Sequence, residues 1–175
     1  MKKALFLDRD GVINSDAGYV YKIEDFKFID GIFDLCKVFI EKEYKIFVIT
    51  NQSGINRGYF TENDFLELTE WMKKQFEERN IHIEKVYYCP HSPNEDCDCR
   101  KPKPKMLLDA KKDFNIDLEN SLFIGDKISD MECALNAGLK KMILINSGYH
   151  NNENKFLIAN DIKEVINIVL KGDIL

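Results

Sequence analysis

Five short, mainly apolar segments recur along this chain, and stretches with helical periodicity separate them. The apolar segments cover Ala4–Leu7, Ile46–Ile49, Lys85–Tyr88, Leu122–Ile124 and Met142–Ile145. In the stretches between them, apolar residues return every three or four positions, which is typical of a helix with one buried face. Strands that are apolar on both faces and alternate with helices predict a mainly parallel sheet covered on both sides. The predicted fold class is therefore α/β, a Rossmann-like three-layer sandwich.

Composition predicts one globular domain spanning 1–175, because 45% of the 175 residues are hydrophobic and 31% are charged. No apolar run approaches the roughly 20 residues that cross a bilayer. The first apolar run ends at Asp8, too early for a secretory signal, so we expect a cytoplasmic location. The net charge of -5 argues against nucleic acid or an anionic membrane as a partner. Since the sequence has no obvious exposed apolar stripe, we expect a monomer.

Local signals predict where the helices begin and end. N-terminal caps are predicted at Asp30, at Thr61 paired with Asp64, at Ser129 paired with Glu132, and at Asp161. Gly138 predicts the end of the helix that follows the fourth strand.

Polar residues follow the predicted strands directly. The first strand runs into Asp8 and Asp10, the second into 50–54, the third into a segment rich in Cys, and the fourth into Asp126. Ligands of open parallel sheets bind outside the carboxyl ends of the strands. We therefore expect these four clusters, which are far apart in the sequence, to meet at one edge of the sheet.

Asp8 and Asp10 place two carboxylates on the same side of an extended chain, and Gly11 allows close backbone approach. One such carboxylate can attack an electrophile while the other transfers a proton. Neighbouring carboxylates also attract Mg²⁺, which prefers oxygen ligands. Asp126 supplies a third carboxylate at the same edge. We interpret Asp130 as a support for the next helix start or for the site around it.

Two further segments carry groups that suit a phosphate. Hydroxyl, amide and backbone N–H donors follow the second strand at Thr50, Asn51, Gln52 and Ser53. Arg100 and Lys101 form a basic pair held between Cys99 and Pro102, and they can neutralise a phosphoryl group during its transfer.

The segment 89–99 predicts a zinc site. Its ligand spacing is C-x-H-x5-C-x-C, formed by Cys89, His91, Cys97 and Cys99. Three thiolates and one imidazole complete a tetrahedral Zn²⁺ site with no open position, which indicates a structural role. The remaining cysteines, Cys36 and Cys133, are interpreted as core residues, and His82 and His150 as ordinary surface or packing residues.

The order Asp8, Asp10, Thr50, Lys101 and Asp126 resembles the four-part pattern of the haloacid dehalogenase superfamily of phosphatases. The zinc segment with the Arg100–Pro102 sequence resembles the zinc-loop branch, which contains the heptose bisphosphate phosphatases and the histidinol-phosphate phosphatases. Five stretches are more similar to the heptose enzymes: 16–20, 50–58, 68–72, 101–104 and 125–127.

The resemblance implies a small phosphorylated sugar as substrate, Mg²⁺ as catalytic cofactor and Zn²⁺ as structural metal, in a step towards activated heptose for surface glycans such as lipopolysaccharide. It implies that Asp8 forms an aspartyl-phosphate and that Asp10 is the acid and base. Asp8, Asp126 and the backbone carbonyl of Asp10 would hold Mg²⁺, while Thr50 and Lys101 would stabilise the phosphoryl group. The substrate-binding residues implied are Asp16, Ala17, Gly18, Tyr19, Asn51, Gln52, Ser53, Arg100 and Lys127.

Superfamily members often carry a large cap domain, but the sequence leaves no room for one. About twenty residues separate Gly11 from the helix after Asp30, and one long helix fits between Ile49 and Val86. We therefore expect a capless core. Two alternatives to the heptose enzyme stay open. The five residues between His91 and Cys97 resemble the histidinol-phosphate branch, and the domain could be a catalytically inactive, zinc-stabilised binding module.

Overall fold

The structure is a computed structural model, and it describes residues 1–145, 148, 155–172 and 174. The strands among these residues are β1 (Lys3–Leu7), β2 (Tyr44–Asn51), β3 (Ile83–Cys89), β4 (Leu122–Gly125), β5 (Lys141–Ile145) and β6 (Leu157–Ala159). The helices are α1 (Ile32–Glu41), α2 (Glu62–Glu77), α3 (Lys105–Phe114), α4 (Ile128–Ala137) and α5 (Ile162–Lys171). The interpretation of His150 lies outside the described residues.

The six strands form one parallel sheet in the order β3-β2-β1-β4-β5-β6. This confirms the α/β prediction and all five predicted strands. The sixth strand, Leu157–Ala159, escapes the sequence pattern because it has three residues, only one of them buried. It pairs with β5 at the edge of the sheet.

Alternate residues of each strand face opposite sides of the sheet, so the core has two halves. Leu5 and Leu7 pack on one side with buried residues of α1, α2 and α5. Ala4 and Phe6 pack on the other side with buried residues of α3 and α4. The result is the three-layer sandwich expected when strands are apolar on both faces.

Two of the four predicted N-terminal caps are wrong. Helix α1 is preceded by Gly31, at φ +86°, rather than by a capping Asp30 side chain. Helix α4 begins at Ile128, so Ser129 lies inside its first turn, and Asp130 instead accepts hydrogen bonds at the helix start. The Thr61–Asp64 capping box is confirmed.

The other two helix-end signals hold. The Asp161 side chain accepts a hydrogen bond from the Glu164 backbone N–H at the start of α5. Helix α4 ends at Gly138, whose φ is +91°.

The strand order places the site. From β1 the chain adds β2 and β3 on one side of the sheet, and it then adds β4, β5 and β6 on the other side. The neighbouring parallel strands β1 and β4 therefore flank a topological switch point, where a crevice opens at the carboxyl ends of the strands. The residues that follow these two strands are Asp8 and Asp126. Between β1 and α1, the described chain adds a three-residue 3-10 helix, Ile23–Asp25, and two isolated β-bridges, as expected of a capless core. None of the helices within the described ranges has the length and apolar character to cross a membrane.

Candidate active site

Asp8 lies at the carboxyl end of β1 and lines a cleft of about 360 Å³. It is only 5% exposed. Its Oδ1 accepts hydrogen bonds from the Arg9 backbone N–H at 2.8 Å and from Lys101 Nζ at 2.9 Å. Burial, together with the negative charge of Asp130, raises the pKa of Asp8 well above its ordinary value, although Lys101 opposes the shift. Asp8 therefore depends on nearby positive charge to stay ionised.

Lys101 is the buried cation of the site, at 4% exposed. Besides Asp8, its ammonium group contacts Asp130 Oδ1 at 2.7 Å and donates to the Ile49 carbonyl at 2.8 Å. Burial alone would lower the pKa of Lys101, but the charges of Asp130 and Asp8 outweigh it and raise the pKa. Lys101 is thus a permanent point charge at the base of the cleft.

Neighbouring loops hold the Lys101 backbone in place. The Asn51 side chain binds Lys101 twice: Nδ2 donates to the Lys101 carbonyl at 3.3 Å, and Oδ1 accepts from the Lys101 N–H at 3.1 Å. The peptide bond between Lys101 and Pro102 is cis, and the Pro102 carbonyl accepts from Asn136 Nδ2 at 3.1 Å. The last residue of β2 and helix α4 therefore both determine where Lys101 lies.

Three carboxylates meet beside this lysine. Asp8, Asp126 and Asp130 each place an oxygen within 4.8 Å of the others. Burial and the charge of Asp130 raise the pKa of Asp126, and Asp126 Oδ1 is buried without a hydrogen-bond partner among the described residues. Lys101 contacts Asp130 Oδ1, and two backbone N–H groups donate to Asp130 Oδ2. Asp8 and Asp126, with the unsatisfied Oδ1 of Asp126, are therefore the oxygen donors that fit a divalent cation such as Mg²⁺.

Two glycines make room for this cluster. A Cβ on Gly11 would lie 2.1 Å from Asp126 Oδ2, and Gly11 has a φ of +92°, which an L side chain rarely adopts. A Cβ on Gly125 would lie 2.4 Å from the Asp130 Cβ. These collisions explain why glycine follows Asp10 and precedes Asp126 in the sequence.

Asp10 also lines the cleft, but its carboxylate lies outside the three-acid cluster. Its Oδ1 accepts from Arg9 Nη2 at 2.9 Å and from Asn14 Nδ2 at 3.0 Å. Its Oδ2 accepts from Gln52 Nε2 at 3.0 Å, and the same amide nitrogen contacts Thr50 Oγ1 at 2.9 Å. Three donors therefore fix the orientation of Asp10.

Most of the predicted substrate-binding residues line this one cleft: Asp16, Gly18, Tyr19, Asn51, Gln52, Ser53, Arg100 and Lys127. Thr50 is fully buried beneath the lining. Ala17 lies outside the cleft and borders a neighbouring depression with Ser15 and Val20. Four sequence-distant clusters thus meet at one edge of the sheet, as the strand ends predict.

At the rim, Lys127 Nζ lies 3.4 Å from Asp16 Oδ2, which joins the start of α4 to the loop after β1. Burial would lower the pKa of Lys127, but the charges of Asp126 and Asp16 raise it. The Tyr19 ring packs edge-on against the Tyr59 ring with 4.6 Å between centroids. Both tyrosines are about half exposed, so the rim combines charged and aromatic groups.

The zinc ligands predicted from the sequence also come together. One ligand atom from each of Cys89, His91, Cys97 and Cys99 lies within 4.8 Å of the others. The imidazole Nδ1 faces the thiols, 3.4 Å from Cys89 Sγ and 3.2 Å from Cys99 Sγ. Ligand atoms of a tetrahedral zinc with Zn–S near 2.3 Å lie about 3.5–3.8 Å apart. The imidazole distances and the 3.7 Å between Cys89 Sγ and Cys97 Sγ are close to this range, so the donor set fits Zn²⁺.

The zinc segment contacts the rest of the protein at several points. Cys89 is fully buried, and Asn56 donates to Glu95 Oε1 at 2.9 Å. Lys103 Nζ donates to the Cys97 carbonyl, and Arg100 Nη1 donates to the His91 carbonyl at 3.2 Å. The segment therefore leads directly into the basic pair that lines the cleft.

Sequence reasoning misses three residues of this site. Ser129 lines the cleft rather than capping α4. Arg9 and Asn14 both hold Asp10 and are almost fully buried. A cation placed between two acids at the end of a buried strand is the one signal that could have identified Arg9.

The parallel sheet with three acids and a buried lysine at its switch point defines the class: a haloacid dehalogenase-like hydrolase. The family model for HAD-hydrolase-like proteins matches residues 98–167. A structure of D,D-heptose 1,7-bisphosphate phosphatase from B. bronchiseptica, complexed with magnesium and phosphate, superposes with a TM-score of 0.86 at 26% identity, covering 97% of this chain and 99% of that one.

Two curated relatives narrow the class. The D-glycero-alpha-D-manno-heptose-1,7-bisphosphate 7-phosphatase of Campylobacter jejuni is 52% identical over 172 residues, covering 98% of both chains. The corresponding beta-heptose enzyme of Haemophilus influenzae is 47% identical over 154 residues, covering 85% of this chain and 84% of the relative. This chain belongs to the D-glycero-D-manno-heptose 1,7-bisphosphate 7-phosphatase family.

Proposed function

We propose that this chain is a phosphoric monoester hydrolase that removes the 7-phosphate of D-glycero-D-manno-heptose 1,7-bisphosphate. Its product would enter the synthesis of activated heptose for surface glycans such as lipopolysaccharide. The proposal rests on one observation above all: a buried carboxylate, Asp8, faces the cleft and is held by the buried ammonium group of Lys101. Membership of the heptose family supplies the substrate class.

In the first step, an Asp8 oxygen attacks phosphorus and the bond from phosphorus to the sugar oxygen breaks. Asp10 gives that sugar oxygen a proton as it leaves. In the second step, Asp10 takes a proton from water as the water attacks the aspartyl-phosphate, and inorganic phosphate is released while Asp8 is restored. Lys101 and Thr50 stabilise the charge on the phosphoryl oxygens.

The hydrogen bonds of Asp10 determine which oxygen carries this proton. A carboxylate oxygen has two lone-pair sites. Arg9 and Asn14 occupy both sites of Oδ1, whereas Gln52 occupies one site of Oδ2. The proton that Asp10 transfers is therefore held at Oδ2.

Asp8 and Asp126, with the backbone carbonyl of Asp10, would hold Mg²⁺, and Asp130 would support them from behind through Lys101. When bound, Mg²⁺ supplies positive charge that neutralises the carboxylates and the phosphate oxygens. The chain's own contribution is geometric: Gly11 and Gly125 let the acids approach, and Lys101 balances two of them.

We propose that Zn²⁺ in the segment 89–99 is structural. Its four ligands leave no open position for a substrate. The ion would hold together a segment that contributes little apolar surface, and it would do so two residues before Lys101. Zinc would therefore act on catalysis only through the placement of the basic pair.

The rim favours a second anionic group on the substrate. Arg100 and Lys127 line the cleft, and they would bind the phosphate that is not removed. Histidinol phosphate carries a cationic amine instead and would gain nothing from these two side chains. Arg57, a third basic residue near this region, is exposed and is not part of the described cleft lining.

The decisive assay measures kcat/KM side by side for both anomers of the heptose bisphosphate and for histidinol phosphate. Both anomers are needed because the relatives include enzymes named for each. We expect the heptose substrates to be preferred by at least about 100-fold, since two charge-assisted contacts are lost with the amine. Faster turnover of histidinol phosphate would reject the proposal.

We further propose that the domain spanning 1–175 acts as a monomer in the cytoplasm. We propose a monomer because the sequence has no obvious exposed apolar stripe. All five cysteines are free, and a reducing compartment keeps such thiols available to zinc. Sedimentation of the zinc-loaded protein measures its assembly state, and a dimer at micromolar concentration would contradict the proposed monomer.

A further inference from the structure

Arg9 is buried at 2% exposed although it carries a permanent charge. Its Nη2 donates to two acceptors, Asp10 Oδ1 at 2.9 Å and the Val20 carbonyl at 2.7 Å. The rings of Phe26 and Phe65 flank the guanidinium, each with its centroid 5.9 Å from Cζ. Among the described residues, Asp10 is its only carboxylate partner.

The buried guanidinium is a costly way to stabilise the fold. Arg9 Nε and Nη1 are buried without a hydrogen-bond partner in the described part of the chain, and burying unsatisfied donors beside a charge is costly. An apolar side chain between Phe26 and Phe65 would avoid that cost. What the guanidinium adds is a fixed position for Asp10, because the Val20 carbonyl and the two rings hold it from the other sides.

We propose that Arg9 is a positioning residue that orients the Asp10 carboxylate for proton transfer to the leaving group. The inference rests on the proposed function, in which Asp10 is the acid and base. Asn14 and Gln52 hold Asp10 as well, but both are neutral amides. Arg9 provides the charge-assisted bond, which is the stronger kind.

Leaving-group dependence separates this role from a structural one. A sugar oxygen leaves only with a proton, whereas the nitrophenolate of p-nitrophenyl phosphate leaves without one. General acid catalysis contributes about 10²–10⁴-fold. We expect Arg9→Met to lower kcat/KM for the heptose bisphosphate by about 100-fold or more, and for p-nitrophenyl phosphate by less than about 10-fold. Arg79→Met, which removes an exposed arginine at the end of α2, is the matched control and should leave both values unchanged.

Arg9→Lys keeps the charge without the planar fork, so it should recover part of the loss for the heptose substrate. This variant decides the question if Arg9→Met does not fold. Equal losses on both substrates in the folded variant would overturn the inference.

A double-mutant cycle with Asp10→Asn gives an independent test. If Arg9 acts through Asp10, then replacing Arg9 in the Asp10→Asn background lowers kcat no further, whereas additive losses would overturn the inference. The cycle can be run with p-nitrophenyl phosphate when kcat is measured. Unlike kcat/KM, kcat includes the second step, in which Asp10 activates water for either substrate. A wild-type enzyme that turned over only the aryl substrate would therefore reject the proposed heptose substrate. The cycle on the aryl substrate would still test whether Arg9 acts through Asp10.

Discussion

The buried acid–lysine cluster and the zinc segment 89–99 obtain their geometry in different ways. Asp8, Lys101 and Asp130 are each at most 5% exposed and are placed by strand ends, a helix start and hydrogen bonds. In the zinc segment, by contrast, His91, Cys97 and Cys99 are only partly buried, and the ligand atoms of all four residues face one another within 4.8 Å. The sheet shapes the first region, whereas we propose that the second depends on a metal ion. The two join at Cys99–Lys101, so the second can affect the first.

The largest expected effect comes from Asp8. We expect Asp8→Asn to lower turnover by at least about 10⁴-fold, because it removes the proposed nucleophile. Zinc content should stay at about one ion per chain, because the ligand set is complete without Asp8. Elemental analysis and a phosphate-release assay measure the two quantities. Asp109→Asn, at an exposed ion pair on α3, serves as control. An Asp8→Asn enzyme as active as wild type would reject the mechanism.

Lys101 and Lys103 offer a matched pair of lysines in the same turn. Lys101→Met should lower the free energy of unfolding by about 3–5 kcal/mol, because it leaves Asp8 and Asp130 buried together without a cation. Lys103 is half exposed and lies 3.6 Å from an exposed Asp96, so Lys103→Met should cost about 1 kcal/mol or less. Urea unfolding of both variants measures the difference. Similar losses would mean that the cluster is not sensitive to its buried cation.

Zinc removal tests the link between the two regions. Cys97→Ser should lose most of its zinc and lower kcat by about 10-fold, because the supports of metal sites typically affect activity on this scale. The fold should persist, because Cys97 only packs against the edge of one half of the core and the other half contains none of the four ligands. Cys36→Ser makes the same atomic change in the other half of the core, outside the zinc cluster, and should retain zinc and activity. Full activity in zinc-free Cys97→Ser would show that the basic pair does not depend on the metal.

Magnesium and zinc can be distinguished in the same preparation. Mild chelation that spares zinc should leave an enzyme that recovers full activity when Mg²⁺ is added back, because a carboxylate site exchanges hard cations readily.

The smallest expected effect concerns the pH dependence of stability without metal. Because the folded pKa of Asp8 is raised above its ordinary value of 3.8, the folded chain binds this proton more tightly than the unfolded chain does. Asp8 therefore lowers stability as pH rises from 3.8 through the raised pKa. Asn cannot ionise, so metal-free Asp8→Asn should melt a few degrees above wild type at neutral pH, where ~1 kcal/mol corresponds to about 2–4 °C. The gap should close at acid pH, and calorimetry across that range measures it. A gap independent of pH would contradict the assigned cause.

Short-range features of the site could be predicted from the sequence. The ligand spacing of the zinc segment is a local pattern, and so is the presence of acids at the strand ends. The acids meet because the carboxyl ends of parallel strands lie at the same edge of the sheet. The Thr61–Asp64 cap was also predictable, because both of its hydrogen bonds lie within one turn. The caps at Asp30 and Ser129 were not, since the same residue types can serve other contacts: Asp30 pairs with Lys163 on α5, and Ser129 lines the cleft.

The sequence alone determined the parallel α/β class, the Cys/His cluster that we propose binds zinc, and the acids of the cleft, because apolar runs and fixed ligand spacings are properties of the chain itself. Only the tertiary structure decided that Asp130 balances Lys101, that Asn51 binds the Lys101 backbone and that Arg9 holds Asp10. These contacts depend on which loops the strand order brings together. A buried charge can be explained only by its partner in space, and in the case of Asp8 and Lys101 that partner lies 93 residues away.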